Sequence, residues 1–310
     1  MKKIAVFFCL LAAALLLLLA GCKDNKINHR LSDLGGVYAA DEKDIDFSVE
    51  VSGKLSEGEN AQSSIKNTDN PITETSSDNR YSNKLLMWGI SRKPDHQTPD
   101  ADPGAPELLK KYGGIYLGDP SEKKIYLTFD EGYENGYTGK ILDTLRDNSV
   151  KAVFFITGPY LKEHQDLVQR MVEEGHEVGN HTIHHPSLPS LGDDELEEEV
   201  LGLDRAFYEK FGRHMKYLRP PKGEYSERTL AITRNLGYTN VFWSFAYDDW
   251  YRDRHRGADY AYNVVERNLH NGAVLLLHAV SKDNAEALDR IIKGAREKGY
   301  EIGNINDIGQ

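Results

Sequence analysis

From residue 124 to residue 305, short apolar runs alternate with longer amphipathic segments, and that alternation leaves few folds open. The runs cover residues 124–129, 152–157, 176–180, 217–220, 239–245, 273–280 and 300–305. They have strand length and are rich in apolar or β-branched residues. The segments between them, 139–147, 160–174, 193–211, 227–236, 259–269 and 284–298, read as amphipathic helices. In the last, Ala287, Leu288, Ile291, Ile292 and Ala295 share one face. Gly175, Gly212, Gly237 and Gly299 stand where helices should stop. Strands alternating with helices predict a parallel sheet, either an open doubly wound sheet or a closed barrel. A nucleotide-binding open sheet carries a glycine-rich phosphate loop after its first strand. Here Asp130-Glu131-Gly132-Tyr133 stands in that place, which favours an α/β barrel.

In such a barrel the C-terminal strand ends converge on one rim, the face that carries active sites. Polar residues sit at just these places. Thr128-Phe129-Asp130-Glu131-Gly132 follows the first run, and His181-Thr182-Ile183-His184-His185-Pro186 the third. The fourth ends in Arg219-Pro220-Pro221-Lys222-Gly223, the fifth leads to Asp248-Asp249-Trp250, and the sixth reaches His278.

His181 and His185 are four residues apart, a spacing that brings two imidazoles to one side of a helical turn, as metal ligation requires. Pro186 disfavours helical geometry at His185, so a tight loop is the equal alternative. Asp130 and Glu131 would point to opposite faces of an extended strand. At a strand end, with Gly132 to let the chain turn, both can reach one cavity, one as ligand and one as base. Two histidines and a carboxylate leave a metal position open for water, which loses its proton near neutral pH. Arg219 is placed to orient Asp130 and keep it ionised. His278 is a candidate acid for a leaving amine, with Asp249, beside Trp250, holding it cationic; a satisfied core histidine is the alternative. Lys222 lies where a backbone N–H can face a developing oxyanion.

These residues match a known pattern. The chain from about residue 123 to 308 resembles the NodB-homology polysaccharide deacetylases, carbohydrate esterase family four. The family's Thr-Phe-Asp-Asp-Gly signature reads Thr128-Phe129-Asp130-Glu131-Gly132, and its His-Ser/Thr-x-x-His signature reads His181-Thr182-Ile183-His184-His185. The resemblance implies an irregular (β/α)7 barrel and a divalent metal ion, zinc first, with cobalt or manganese as alternatives. It implies Asp130 as general base, His181, His185 and Glu131 as metal ligands, Arg219 as support for the base, and Asp249 tuning His278 as general acid.

A narrower likeness is to members that deacetylate N-acetylmuramic acid in peptidoglycan during muramic-δ-lactam formation. It rests on Trp88-Gly89, His96-Gln97-Thr98-Pro99-Asp100-Ala101, Gly132-Tyr133-Glu134-Asn135-Gly136, Arg219-Pro220-Pro221-Lys222-Gly223 and the stretch from His278 to Leu288. Peptidoglycan glycan strands are then the expected partner, touched by Lys222, Tyr133 and Trp250. N-acetylglucosamine and chitin-like glycans are the alternative substrates. Two departures matter. Glu131 is one methylene longer than the family's second aspartate, so a third ligand there must shift; a failed ligand would leave a weakened, wall-binding lipoprotein. Lys222 replaces an aromatic residue and suits a substrate carboxylate such as the lactyl group of muramic acid.

The N-terminus sets the expected location. Met1-Lys2-Lys3 precedes an uncharged apolar run from Ile4 to Ala20, the pattern of a secretory signal. It closes on Leu19-Ala20-Gly21-Cys22, which resembles a bacterial lipobox; an uncleaved anchor is the alternative. Residues 1–22 are therefore expected to be a lipoprotein signal, 23–85 a disordered polar tether, and 86–310 the catalytic domain. An extracytoplasmic monomer held to the membrane by its N-terminal lipid follows. The formal net charge of −11 argues against a nucleic-acid partner. Both cysteines, Cys9 and Cys22, lie in the signal, so the mature domain must rely on its apolar core.

Overall fold

The computed structural model describes residues 80–308. The expected leader, the expected lipid attachment at Cys22 and the expected tether as far as residue 79 lie outside the described residues.

The apolar runs pair in parallel, each strand delivering its C-terminal end to the same side. Among the described residues one seven-stranded sheet comprises β1 (Lys124–Glu131), β2 (Val153–Ile156), β3 (Glu177–Asn180), β4 (Tyr217–Leu218), β5 (Thr239–Asn240), β6 (Ala273–His278) and β7 (Glu301–Ile302). Its order is β6-β1-β2-β3-β4-β5. Beyond β5 the chain returns to β6 through a parallel bridge from Phe245 to Leu275, which closes the curl. β7 pairs with Lys124 and Ile125, whereas β2 joins β1 only from Thr128 onward. Since Ile125 also faces Ala273 of β6, β7 must share the β2 edge of β1, and the barrel is irregular there. β1 and β6 read as near-continuous apolar runs because both of their faces are covered.

Helices fill the crossovers. The longest is Asp193–Phe211, and the last, Lys282–Glu297, buries Ala285, Ala287, Leu288, Ile291, Ile292 and Ala295 against the sheet layer. Truncating a core leucine of this kind costs about 2–5 kcal/mol. All four glycines expected to stop helices adopt positive φ.

Three local readings change. The helix expected over 160–174 is two, Gly158–Glu163 and Gln165–Glu173. His164, at φ −125° and ψ 45°, breaks the turn while the apolar spacing runs straight through it. The strand expected over 239–245 keeps only its first two residues in the β4 ladder. Ile115 covers the opposite edge there: its N–H donates to the Asn240 carbonyl at 2.8 Å and its carbonyl accepts from the Phe242 N–H at 2.7 Å. Domain contacts also begin before residue 86. The Ser226 hydroxyl donates to Asn83 Oδ1 at 2.8 Å, and Tyr81 packs edge-on against Tyr112.

An N-terminal arm then runs along the barrel. Leu86–Met87 pairs antiparallel with Glu224–Tyr225, the Trp88 N–H donates to the Gly223 carbonyl at 2.8 Å, and the Trp88 indole donates to the Trp243 carbonyl at 2.8 Å. Trp88, Leu109, Tyr225, Phe242 and Trp243 form a second apolar cluster, which fixes the turn carrying Lys222.

Candidate active site

Asp130 is the penultimate residue of β1, on the barrel's inner face. Arg219, which follows β4, donates from Nη1 to Asp130 Oδ1 at 2.6 Å and from Nη2 to Thr128 Oγ1 at 2.8 Å. Its Nε donates to the Val241 carbonyl at 3.1 Å, and the guanidinium lies 4.2 Å from the centre of the Phe155 ring. With a fourth bond from Nη2 to the Phe242 carbonyl at 3.5 Å, this buried cation makes four hydrogen bonds and has one carboxylate to balance it. Burial pushes the Asp130 carboxyl up, but Arg219, His181 and His278 together hold it below the usual carboxylate range.

His181 follows β3. Its Nδ1 lies 2.9 Å from the Arg219 carbonyl oxygen, which can only accept, so Nδ1 carries the proton. Nε2 is left with a lone pair, 3.5 Å from Asp130 Oδ2. His185 comes close through a loop rather than a helical turn. Thr182 and His185 both have positive φ, 67° and 60°, and the His185 N–H donates to Thr182 Oγ1 at 3.0 Å. The two imidazole rings are 4.7 Å apart, centre to centre. Burial lowers the basicity of both, and for His185 the neighbouring His181 and the Lys222 charge lower it further. Both rings are neutral at physiological pH.

His278 ends β6 beside Asp249. Its Nδ1 meets Asp249 Oδ1 at 2.7 Å, and its backbone N–H donates to Asp249 Oδ2 at 2.9 Å. Asn284 donates to the same Oδ2 at 2.5 Å and in turn accepts from the Tyr247 hydroxyl. Burial works against protonation of His278, yet Asp249 raises its basicity above that of an ordinary imidazole. Trp250 stands edge-on to the His278 ring at 5.8 Å, and the Tyr133 hydroxyl donates to the Trp250 carbonyl at 3.1 Å. Lys222 has positive φ, 60°, in the Pro221–Gly223 turn, on the His185 side.

Glu131 does not join them. As the next residue of an extended strand it faces the covering helices, the opposite side from Asp130. It is fully buried, Thr138 Oγ1 approaches its Oε2 at 3.4 Å, and its Oε1 has no hydrogen-bond partner. Burial, then Glu134 and Asp130, push its carboxyl well above the usual carboxylate range, which favours the neutral form. Glu134 takes the better donors there, accepting at Oε1 from the N–H groups of Gly136 and Tyr137 at 2.5 and 2.9 Å. The expectation that Gly132 would let both carboxylates turn into one cavity is thus corrected: the strand stays extended through Glu131.

Sequence reasoning passed over Thr128, Asn284 and Tyr247. Thr128 was findable, since it lies two residues before Asp130 on the same strand face. Asn284 lies within the matched stretch after His278, whereas nothing in the sequence marked Tyr247.

Residues 117–241 match the profile of the polysaccharide deacetylase family. The chain is also 44% identical over 227 residues to the peptidoglycan-N-acetylmuramic acid deacetylase PdaA of Bacillus subtilis, covering 73% of this chain and 86% of that protein. The chain belongs to the polysaccharide deacetylase family. Its fold agrees: the structure of Bacillus subtilis PdaA, a family 4 carbohydrate esterase, matches with a TM-score of 0.71, covering 73% of this chain and 97% of that one. A family 4 carbohydrate esterase from Bacillus anthracis matches at 46% identity and a TM-score of 0.62, covering 74% and 97%.

Polysaccharide deacetylases are generally metal-dependent, and this member's residues fit a metal only in part. Two neutral imidazoles are suitable donors for a divalent cation. The third ligand expected at Glu131 is turned away, toward Thr138. Among the described residues no group of three or more His, Cys, Asp or Glu side chains is placed to hold a metal ion.

Proposed function

We propose that this polysaccharide deacetylase hydrolyses the N-acetyl group of N-acetylmuramic acid in peptidoglycan, in the manner of muramic-δ-lactam formation. The observation that carries the reading is the pairing of two oppositely tuned groups on one rim. Arg219 bonds Asp130 at 2.6 Å and favours its ionised form, and Asp249 meets His278 Nδ1 at 2.7 Å and favours its protonated form. An ionised base and a charged acid suit amide hydrolysis, which needs one proton removed from water and one delivered to the amine. Asp130 takes a proton from water as the oxygen bonds to the acetyl carbon. His278 gives its proton to the nitrogen as the C–N bond breaks, and acetate leaves. Tyr133 and Trp250 wall the acid side of the cleft. A divalent ion bound by His181 and His185, with zinc to be tried before cobalt or manganese, would polarise the acetyl carbonyl.

Mass spectrometry of peptidoglycan fragments incubated with the protein tests the reading. Loss of acetyl groups from muramic acid supports it; loss only from N-acetylglucosamine or chitin-like oligomers replaces the substrate. Binding to sacculi without any acetate release would favour a weakened wall-binding protein, the reading that the orientation of Glu131 supports.

Exhaustive chelation is expected to lower acetate release about 100-fold or more, since a Lewis acid contributes several kcal/mol to such a barrier. Added zinc is expected to restore it. Activity that survives chelation removes the metal from the proposal. Lys222, beside His185, is proposed to hold the lactyl carboxylate of muramic acid. Lys222→Ala should then raise KM about tenfold on muramic acid fragments and leave KM on chitin-like oligomers unchanged, as expected for one charge-assisted contact. Equal effects on both would dismiss that role.

The substrate lies outside the cytoplasm, in accord with the N-terminal signal. Lipid attachment at Cys22 and a monomeric state belong to the same proposal.

A further inference from the structure

The segment from Asp248 to Gly257 carries three arginines beside the acid side of the rim, and two of them share one carboxylate. Arg254 pairs with Asp248, and Arg256 Nη2 meets the same carboxylate at 2.5 Å. Arg252 differs from both. Its guanidinium lies over the Tyr133 ring, 4.8 Å from the centre, and among the described residues it forms no ion pair, not even with the adjoining Asp253. Tyr133 is itself fixed, because its hydroxyl bonds to the Trp250 carbonyl at 3.1 Å, and Trp250 abuts His278. The backbone is held too: the Asn135 amide donates to the Arg252 carbonyl at 3.4 Å and to the Val280 carbonyl, just past β6, at 3.1 Å.

An exposed arginine usually samples many rotamers and contributes little. Here stacking on an anchored ring restricts the guanidinium, so less freedom is lost when it meets an anion. The shelf adjoins the group assigned to protonate the leaving amine. The Lys222 charge, in turn, is felt at His185.

We propose that Arg252 binds a carboxylate of the glycan substrate on the His278 side of the cleft and so selects acidic wall glycan over neutral glycan. The assignment rests on the peptidoglycan reading above. Two sources share the required chemistry, the lactyl group of a muramic acid and the acidic groups of a peptide stem. A planar guanidinium grips either through two parallel hydrogen bonds.

The test compares the full chain with Arg252→Gln and Arg252→Lys on three glycan fragments. One carries peptide stems, one is stripped of stems, and one is stripped with its lactyl carboxylates capped as methyl amides. Acetate release supplies KM and kcat, and titration calorimetry supplies Kd for each fragment. Arg252→Gln is expected to raise KM and Kd about five- to tenfold on carboxylate-bearing fragments at low salt, with kcat unchanged. The gap should narrow as ionic strength rises and vanish on the capped fragment. Arg252→Lys, which keeps the charge but loses the fork, should fall between. A gap that needs the stem names the stem as the source; a gap on stripped glycan names the lactyl group. Equal KM and Kd for wild type and Arg252→Gln on all fragments overturns the assignment, and so does an equal loss on capped and uncapped glycan. If the wild type releases acetate from none of them, the peptidoglycan reading fails, and the calorimetric comparison still decides Arg252.

Discussion

Asp130→Asn is expected to lower acetate release by about three orders of magnitude or more, with the fold retained. The side chain keeps its shape, and its amide oxygen still accepts from Arg219 Nη1, now 2.6 Å from Oδ1. What is lost is the negative charge, and a neutral amide cannot take a proton from water. General-base assistance is commonly worth about 10²–10⁴. The upper part of that range applies because the neighbouring carboxyl, Glu131, is turned away and Asp249 is engaged by His278. Some stability goes as well, since Arg219 stays buried without a countercharge. The sign with pH follows. The folded Asp130 carboxyl lies below its unfolded value of about 3.9, so its pairing stabilises the fold above that pH and is lost only as pH falls through the lower folded value. Acetate release and thermal melts of the two proteins, measured together, check both parts. Substantial residual turnover would remove Asp130 from the role of base.

The sheet was legible because β1 and β6 are buried on both faces and so show as largely apolar runs, each closing on a titratable residue. That ending is why Asp130 and His278 could be placed on one rim from the sequence. Arg219 followed from the same logic, but its fourfold bonding could not, because Thr128 and the Val241 carbonyl reach it only once the barrel closes. Short strands were the weak point. A two-residue ladder such as β5 carries no periodicity, and its other edge is taken by Ile115, far away in sequence. Glu131 shows a different limit. Adjacency to Asp130 suggested a shared cavity, while the two-residue repeat of a strand separates neighbours by the full thickness of the sheet. Whether a strand turns at its last residue depends on the next helix. Here Glu134 and Thr138 at the start of helix Thr138–Asp147 receive the Glu131 side chain from the far side.

His278→Gln is expected to reduce kcat by about 10²–10⁴, the usual worth of a positioned general acid, and the pH profile separates this from a packing defect. Burial opposes the charged ring and Asp249 more than offsets it, so the folded His278 titrates above the ordinary imidazole value of about 6.5. As the acid it must be protonated, and kcat/KM should therefore fall on the alkaline side as pH rises through that elevated value. Asp249→Asn removes the carboxylate 2.7 Å from Nδ1 while keeping an acceptor for the backbone N–H of His278. The alkaline limb should then move to lower pH, and the maximal rate should drop less than in His278→Gln. Stability carries the same sign. The His278–Asp249 pairing is fully present below the unfolded imidazole pKa and is lost as pH rises through the folded one. The stability gap between wild type and Asp249→Asn should accordingly be widest in mildly acid solution and narrow toward alkaline pH. An alkaline limb that stays in place in Asp249→Asn would assign the titration to another group and leave His278 without its proposed role.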